Sequence, residues 1–106
     1  MESSFDLIYA PQVRAHLKAI DAKYHSLIRR SIESQLRFDP DVETRNRKPL
    51  RRPAELGGAD WELRFGPDNR FRVFYAVKGE PRQVHILAIG VKRGNRLVIG
   101  REEVRI

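Results

Sequence analysis

Apolar positions recur at two different spacings along this chain, and the change of period divides it into two parts. Phe5-Asp6-Leu7-Ile8-Tyr9-Ala10 is short, rich in aromatic and branched side chains, and stops at Pro11. Proline has no backbone donor and its fixed φ suits the first turn of a helix, so the pattern predicts a strand followed by a helix. Val13, Leu17, Ile20, Tyr24, Ile28, Ile32 and Leu36 then return every three or four residues. That spacing puts them on one stripe, with Arg14, Lys18, Lys23, Arg29, Arg30 and Glu33 turned elsewhere. Asp21 is a good capping residue. The region therefore reads as a helix pair near 11–20 and 22–37, or as one long helix, ended by Asp39-Pro40-Asp41.

Residues 40–60 contain Pro40, Pro49, Pro53, Gly57 and Gly58 and predict an irregular surface connection. Beyond it the period falls to two. Trp61, Leu63 and Phe65 alternate with Glu62 and Arg64; Phe71, Val73, Tyr75 and Val77 alternate with Arg72, Phe74 and Ala76; Val84, Ile86 and Ala88 alternate with His85, Leu87 and Ile89. Gly66-Pro67-Asp68-Asn69 and Lys78-Gly79-Glu80-Pro81 separate these three strands as turns, so neighbours pair antiparallel. The third strand is apolar on both faces, which predicts a central position. The order β-α-α-β-β-β predicts a single α+β domain over residues 1–106, two N-terminal helices packed on one face of a small curled, mainly antiparallel sheet.

Composition narrows the function. A chain of 106 residues suffices for one domain, and 41% apolar residues is too many for a disordered tail. With no cysteine there is no disulfide framework, thiolate nucleophile or thiolate metal site. Apolar runs such as Ile86 to Ile89 are far too short to cross a bilayer, and Met1 to Asp6 lacks the basic and then apolar order of a signal peptide. A cytoplasmic location without membrane contact is the expectation. The 21 Lys+Arg and 14 Asp+Glu give a formal charge of +7. Residues 1–43 hold 6 basic and 7 acidic side chains, whereas residues 44–106 hold 15 and 7. The densest stretch, Arg45-Asn46-Arg47-Lys48-Pro49-Leu50-Arg51-Arg52, has five cations in eight positions, and 16 of the 21 cations are Arg. Arg carries a planar fork of donors that matches phosphate oxygens and also stacks on bases, which points to a nucleic acid partner. A solvated face that keeps a small domain soluble is the alternative.

Several segments together resemble the RelE/ParE superfamily of bacterial type II toxins: the element order, Lys48-Pro49-Leu50 leading through Gly57-Gly58 to Trp61-Glu62-Leu63-Arg64-Phe65, the strand Phe71-Arg72-Val73-Phe74-Tyr75, and Ile89-Gly90-Val91-Lys92-Arg93. The resemblance covers nearly the whole chain. It implies a RelE-like fold and, for the RelE branch, a ribosome-dependent mRNA endonuclease (an mRNA interferase) that blocks translation. For the ParE branch it implies a DNA gyrase inhibitor without nuclease activity. It further implies a cognate antitoxin, the ribosome and mRNA as partners, with operator DNA reached only through the antitoxin. No metal and no cofactor is implied.

RNA cleavage by an adjacent 2′-hydroxyl needs a base for that hydroxyl, cations for the charge growing on the phosphate, and an acid for the departing 5′ oxygen. RelE-like enzymes meet these needs mainly with Lys and Arg, so the resemblance places weight on Arg64, Arg72, Lys92 and Arg93, with Glu62 as a candidate base. Arg72 matches the Arg set beside the scissile phosphate. By strand alternation it shares a face with Phe74 and Ala76, a polar-face position expected to contribute little burial and able to pair with Glu62 across the hairpin. Lys92 and Arg93 follow the last predicted strand, and which of them aligns stays open, with Arg96 a third candidate. Arg45, Arg47, Lys48, Arg51, Arg52 and Arg96 are the RNA-binding candidates.

One departure from the resemblance matters. RelE-type nucleases usually carry a Tyr, some a His-Tyr pair, in the C-terminal segment, and this chain has neither after His85. Arg96 or Trp61 substitutes, or cleavage is weak, or the chain belongs with the noncatalytic branch. His16, His25 and His85 lack metal-ligand spacing and read as structural. Trp61, Phe65, Phe71, Phe74 and Tyr75 read mainly as core, with Phe74 the one to be exposed beside Arg72 if any is.

Overall fold

Asp21 splits the apolar stripe into two helices. Its side chain accepts a hydrogen bond from the Lys23 amide at 3.0 Å, which caps a short 3-10 turn, Ala22–Tyr24, between α1 (Val13–Lys18) and α2 (His25–Leu36). The end of α1 is tied off by His25, whose Nε2–H donates to the carbonyl oxygens of Leu17 and Ile20, both at 2.8 Å. The structure, a computed structural model, describes residues 4–51 and 56–104. Among these, no helix is long and apolar enough to cross a membrane.

The strands are β1 (Asp6–Tyr9), β2 (Arg47–Pro49), β3 (Trp61–Phe65), β4 (Phe71–Gly79), β5 (Arg82–Arg93), β6 (Arg96–Ile99) and β7 (Glu102–Val104). They form one sheet in the order β2-β3-β4-β5-β6-β7, antiparallel throughout, and β1 joins it by parallel pairing with β5. The fold is thus α+β, two helices and a mostly antiparallel, curled seven-stranded sheet. The central place expected for the third predicted strand is the one β5 takes. Along one edge, β5 pairs first with β1, from Gln83 to Ile86, and then with β6, from Gly90 to Arg93. Between the two partners the Ile89 amide finds another acceptor, Nδ1 of His16 at 3.2 Å.

Three expectations need correction. The connection 40–60 is not wholly irregular, since Arg47–Pro49 pairs with β3. The third predicted strand runs on to Arg93, so Lys92 and Arg93 lie within it rather than after it. The C-terminal segment forms the β6–β7 hairpin, whose strands of four and three residues are too short to show a period. A further difference lies in the phase of β5. Tyr75 pairs with Ile86 but Phe74 pairs with Ala88, leaving Leu87 as an extra residue in a bulge. Past it, Ala88 moves to the face opposite Val84 and Ile86, while Ile89 joins them.

Two apolar clusters follow from this geometry. Phe71, Val73, Tyr75, Val84, Ile86 and Ile89 face the helices and pack with Val13, Ile28, Ile32 and Leu36. On the opposite face Phe74 and Ala88 are covered by Leu97 of β6 together with Leu56 and Ala59. Phe74 is therefore wholly buried, in line with the reading of the strand aromatics as mainly core, and is not an exposed exception beside Arg72. Tyr75 is also buried; its hydroxyl donates to the Pro40 carbonyl at 2.6 Å, and burial pushes its pKa up.

Candidate functional site

The β3–β4 hairpin sets the centre of the site. Arg64 lies directly across from Arg72, and Glu62 across from Phe74, all on the face turned away from the helices. Two guanidinium groups in opposed strand positions repel. Glu62 resolves the conflict: one carboxylate oxygen accepts from Arg64 Nε at 2.5 Å and the other from an Arg72 terminal nitrogen at 3.4 Å. Glu62 is 3% exposed and Arg72 8%, so the expectation of a solvated Arg contributing little burial is corrected. A charge can be buried here because each member has hydrogen-bonded partners. Burial is the main influence lowering the pKa of Arg72, and Arg64 adds to it, while Glu62 opposes both.

Arg72 is held at a second point by the turn before it. Its Nε donates to the Asn69 carbonyl at 2.9 Å, and Arg70 Nε donates to the Pro67 carbonyl at 3.3 Å. Asp68 and Asn69 adopt φ of 54° and 52°, two successive non-glycine residues in the left-handed region. Such conformations carry a cost and persist where the surroundings impose them. Gly66, at φ 82°, permits the turn because a Cβ there would stand 2.5 Å from the Phe71 ring. The strained turn thus directs two carbonyl oxygens at two guanidinium groups.

From β5, Gly90 lies opposite Arg72, and Lys92 follows two residues later on the same face. The Leu87 bulge is what brings Lys92 there; uninterrupted alternation would have aligned it with Val84 and Ile86. A Cβ on Gly90 would meet the Val98 carbonyl oxygen and an Ile99 carbon at 2.8 Å each, so glycine lets β6 close over this position. A cleft of about 630 Å³ opens at this end of the sheet, lined by Arg70, Arg72, Lys92 and Arg93 together with Asp21, Asp68 and Tyr24. It gathers cations from two strands and from the turn before β4, and with four cations against two carboxylates it favours an anionic ligand.

The other predicted residues divide. Lys48 pairs in register with Glu62 and forms an ion pair with Glu43 at 3.6 Å, which places it beside the buried charge cluster on β2. Arg47 is consumed structurally, donating to the carbonyls of Val42 and Gln35 and to the Gln35 side chain, each at 2.9 Å. Arg45 and Arg51 are exposed, and Arg52 lies outside the described residues. Arg96 pairs with Arg93 across the β5–β6 turn and makes an ion pair with Glu103 at 3.9 Å, outside the cleft. Trp61, the other suggested substitute for the missing C-terminal aromatic, stacks on Tyr75 instead. Of the cleft residues named above, Arg70, Tyr24, Asp21 and Asp68 escaped the sequence reading. Arg70 had a signal, two positions before Arg72 in the same alternation, whereas nothing in a helix stripe marks Tyr24 as a cleft residue.

No metal site emerges from the described residues, which contain no cluster of three His, Asp or Glu side chains suited to one. His85 bonds with the Gln83 side chain at 3.0 Å, and all three histidines have structural hydrogen bonds. The cleft sets arginine and lysine donors, two carboxylates (Asp21 and Asp68) and the Tyr24 hydroxyl around a space open to solvent. Compared with known proteins, the chain matches no family model, and no curated protein or solved structure resembles it at a significant level.

Proposed function

We propose that this chain is a toxin of a bacterial type II toxin-antitoxin module, of the RelE-like kind, which cuts mRNA on the ribosome. The observation that carries the reading is the convergence of Arg70, Arg72, Lys92 and Arg93 on one cleft, with Arg72 pinned by Glu62 and a strained turn. In this reading the 2′-hydroxyl gives up its proton to solvent as its oxygen bonds to phosphorus, the bond to the 5′ oxygen breaks with that oxygen taking a proton from solvent, and the cations offset the charge that grows on the phosphate. Both Glu62 oxygens are engaged by guanidinium groups, so we assign Glu62 the task of holding Arg64 and Arg72 rather than that of general base. The cognate antitoxin, the ribosome and mRNA are the partners this reading requires.

The test is primer extension on a reporter mRNA in a reconstituted translation system, with and without ribosomes. Lys92→Ala and Arg93→Ala are better probes than Arg72→Ala, because both side chains are exposed and their loss leaves the buried ion cluster whole. Ribosome-dependent cuts by the wild-type chain that weaken at least tenfold in the Lys92→Ala/Arg93→Ala double variant support the reading. Intact mRNA overturns it. One observation favours a second reading, a ParE-like gyrase inhibitor: Arg72 spends its Nε and one terminal nitrogen on protein partners, as a purely structural Arg does. That alternative calls for inhibition of supercoiling with mRNA left whole.

A further inference from the structure

We propose that Tyr24 is the aromatic platform on which the cleft receives an unpaired base of single-stranded RNA, which rests on the nuclease reading above. Tyr24 comes from the 3-10 turn between the two helices, far in sequence from the cations, yet it lines the same cleft as Arg70, Arg72, Lys92 and Arg93. Its ring is braced by other rings. It packs on Phe71 with centroids 5.1 Å apart and planes inclined at 55°, and Phe71 in turn packs on Phe65 at 5.7 Å. An aromatic ring held by others loses little freedom when a ligand settles on it.

What remains of the ring is available. Tyr24 is only half-buried, and its hydroxyl has no hydrogen-bond partner among the described residues. That oxygen is not sealed from solvent either, since no side-chain oxygen or nitrogen is both buried and unpartnered there. The ammonium of Lys23, itself an exposed side chain, stands 5.1 Å from the ring centroid. Base–aromatic stacking is at least as strong as an exposed cation–π contact, so in this proposal a nucleobase takes the place of the ammonium, which is then free to meet a phosphate.

The combination selects the substrate. A phosphate-binding set alone accepts any polyanion, duplex included. An aromatic face next to it adds affinity only where a base is unstacked and unpaired, because in a duplex the faces of the bases are already covered. Tyr24 contacts the base and leaves the charge on the phosphate to the cations.

The experiment compares wild type with Tyr24→Phe, Tyr24→Trp and Tyr24→Leu in the reconstituted translation assay, with Lys92→Ala/Arg93→Ala as the control for the cationic site. Tyr24→Phe and Tyr24→Trp are expected to cut within about threefold of wild type. Tyr24→Leu is expected to raise KM about tenfold to a hundredfold with a smaller change in kcat. Cutting by Tyr24→Leu equal to wild type overturns the proposal while the nuclease reading stands, provided the cationic control loses cutting. Loss in Tyr24→Phe as large as in Tyr24→Leu also overturns it, by transferring the role to the hydroxyl. No cutting by wild type removes both readings together. Should Tyr24→Leu melt below the assay temperature, wild-type protein crosslinked to 4-thiouridine-substituted mRNA on ribosomes decides. A crosslink on Tyr24 supports the proposal, and crosslinks confined to residues 45–51 overturn it.

Discussion

The two faces of the central strands are built from alternate residues of the same chain, yet they solve opposite problems. Toward the helices, Phe71, Val73 and Tyr75 interleave with Ile28, Ile32 and Leu36 in an apolar cluster, with the polar contacts of Arg47, the Tyr75 hydroxyl, His16 and Gln12 around it. Away from the helices, Phe74, Ala88 and Leu97 make a smaller apolar floor beside Glu62, Arg64 and Arg72. One face gains stability by removing area from water. The other spends some of it to hold charges in fixed places, since burying an ion pair costs desolvation that its attraction only partly returns. The comparison teaches that Arg72 is positioned by its surroundings rather than displayed on a surface.

Changes on the helix side away from the cleft should therefore move stability alone. Ile32→Ala removes a wholly buried branched side chain from α2 and is expected to cost about 2–5 kcal/mol, read from chemical denaturation. In the proposed nuclease the fraction that remains folded should cut at the wild-type rate; a specific loss of cutting would break the division between the faces. On the other side, Arg72→Ala should move both quantities. It leaves the buried Glu62 with one guanidinium instead of two, at a cost of about 1–3 kcal/mol, and it abolishes cutting. The double variant Glu62→Leu/Arg72→Met sharpens the comparison. Replacing both charges with apolar groups should recover most of the lost stability while cutting stays absent. A pair that recovers neither would mean that the cluster is needed for the fold itself.

How much of this was legible beforehand follows from where a single period holds. The helical stripe and the β3–β4 hairpin were readable because each is governed by one spacing over enough residues. Arg64, Glu62 and Arg72 were placed on a common face for the same reason. β5 was misread from Ala88 onward, because one extra residue, Leu87, reverses the alternation without leaving a Gly or Pro to mark it. Lys92 reaches the site only through that reversal. The burial of Arg72 was hidden for another reason: its partners are Glu62 on the neighbouring strand and the Asn69 carbonyl of the strained turn, and those contacts depend on tertiary geometry. Tyr24 was hidden because helix periodicity assigns it to the core, and a stripe says nothing about where it runs out at the end of a sheet.

A smaller effect tests a polar contact on the helix side. His16 Nδ1 accepts from the Ile89 amide, at the gap between β1 and β6, and burial lowers the pKa of His16 from its ordinary 6.5. The neutral form is therefore favoured in the folded chain. The unfolded chain binds more protons between the lowered value and 6.5, so stability is complete above pH 6.5 and declines as the pH falls below it. Denaturation midpoints measured from pH 7.5 to 5 should fall less steeply in His16→Asn than in wild type. Equal slopes would show that protonation leaves the Ile89 contact unchanged and that the helix face tolerates a charge there.

The smallest effects concern the basic segment beside the sheet, and there the same logic separates cations that look alike in sequence. Arg47 donates three hydrogen bonds to Val42 and Gln35, whereas Arg45 and Arg51 are exposed. Arg47→Ala should cost about 1–2 kcal/mol of stability through acceptors left without a donor. Arg45→Ala and Arg51→Ala should each stay within about 0.5 kcal/mol of wild type. If the exposed pair meets RNA backbone outside the cleft, each replacement lowers the dependence of log affinity on log salt by about 1 without changing which codon positions are cut. An altered cutting pattern would place these residues next to the reacting phosphate. Unchanged salt dependence would leave RNA recognition to the cleft, where the turn carbonyls hold Arg70 and Arg72 in place instead of leaving them merely carried on the surface.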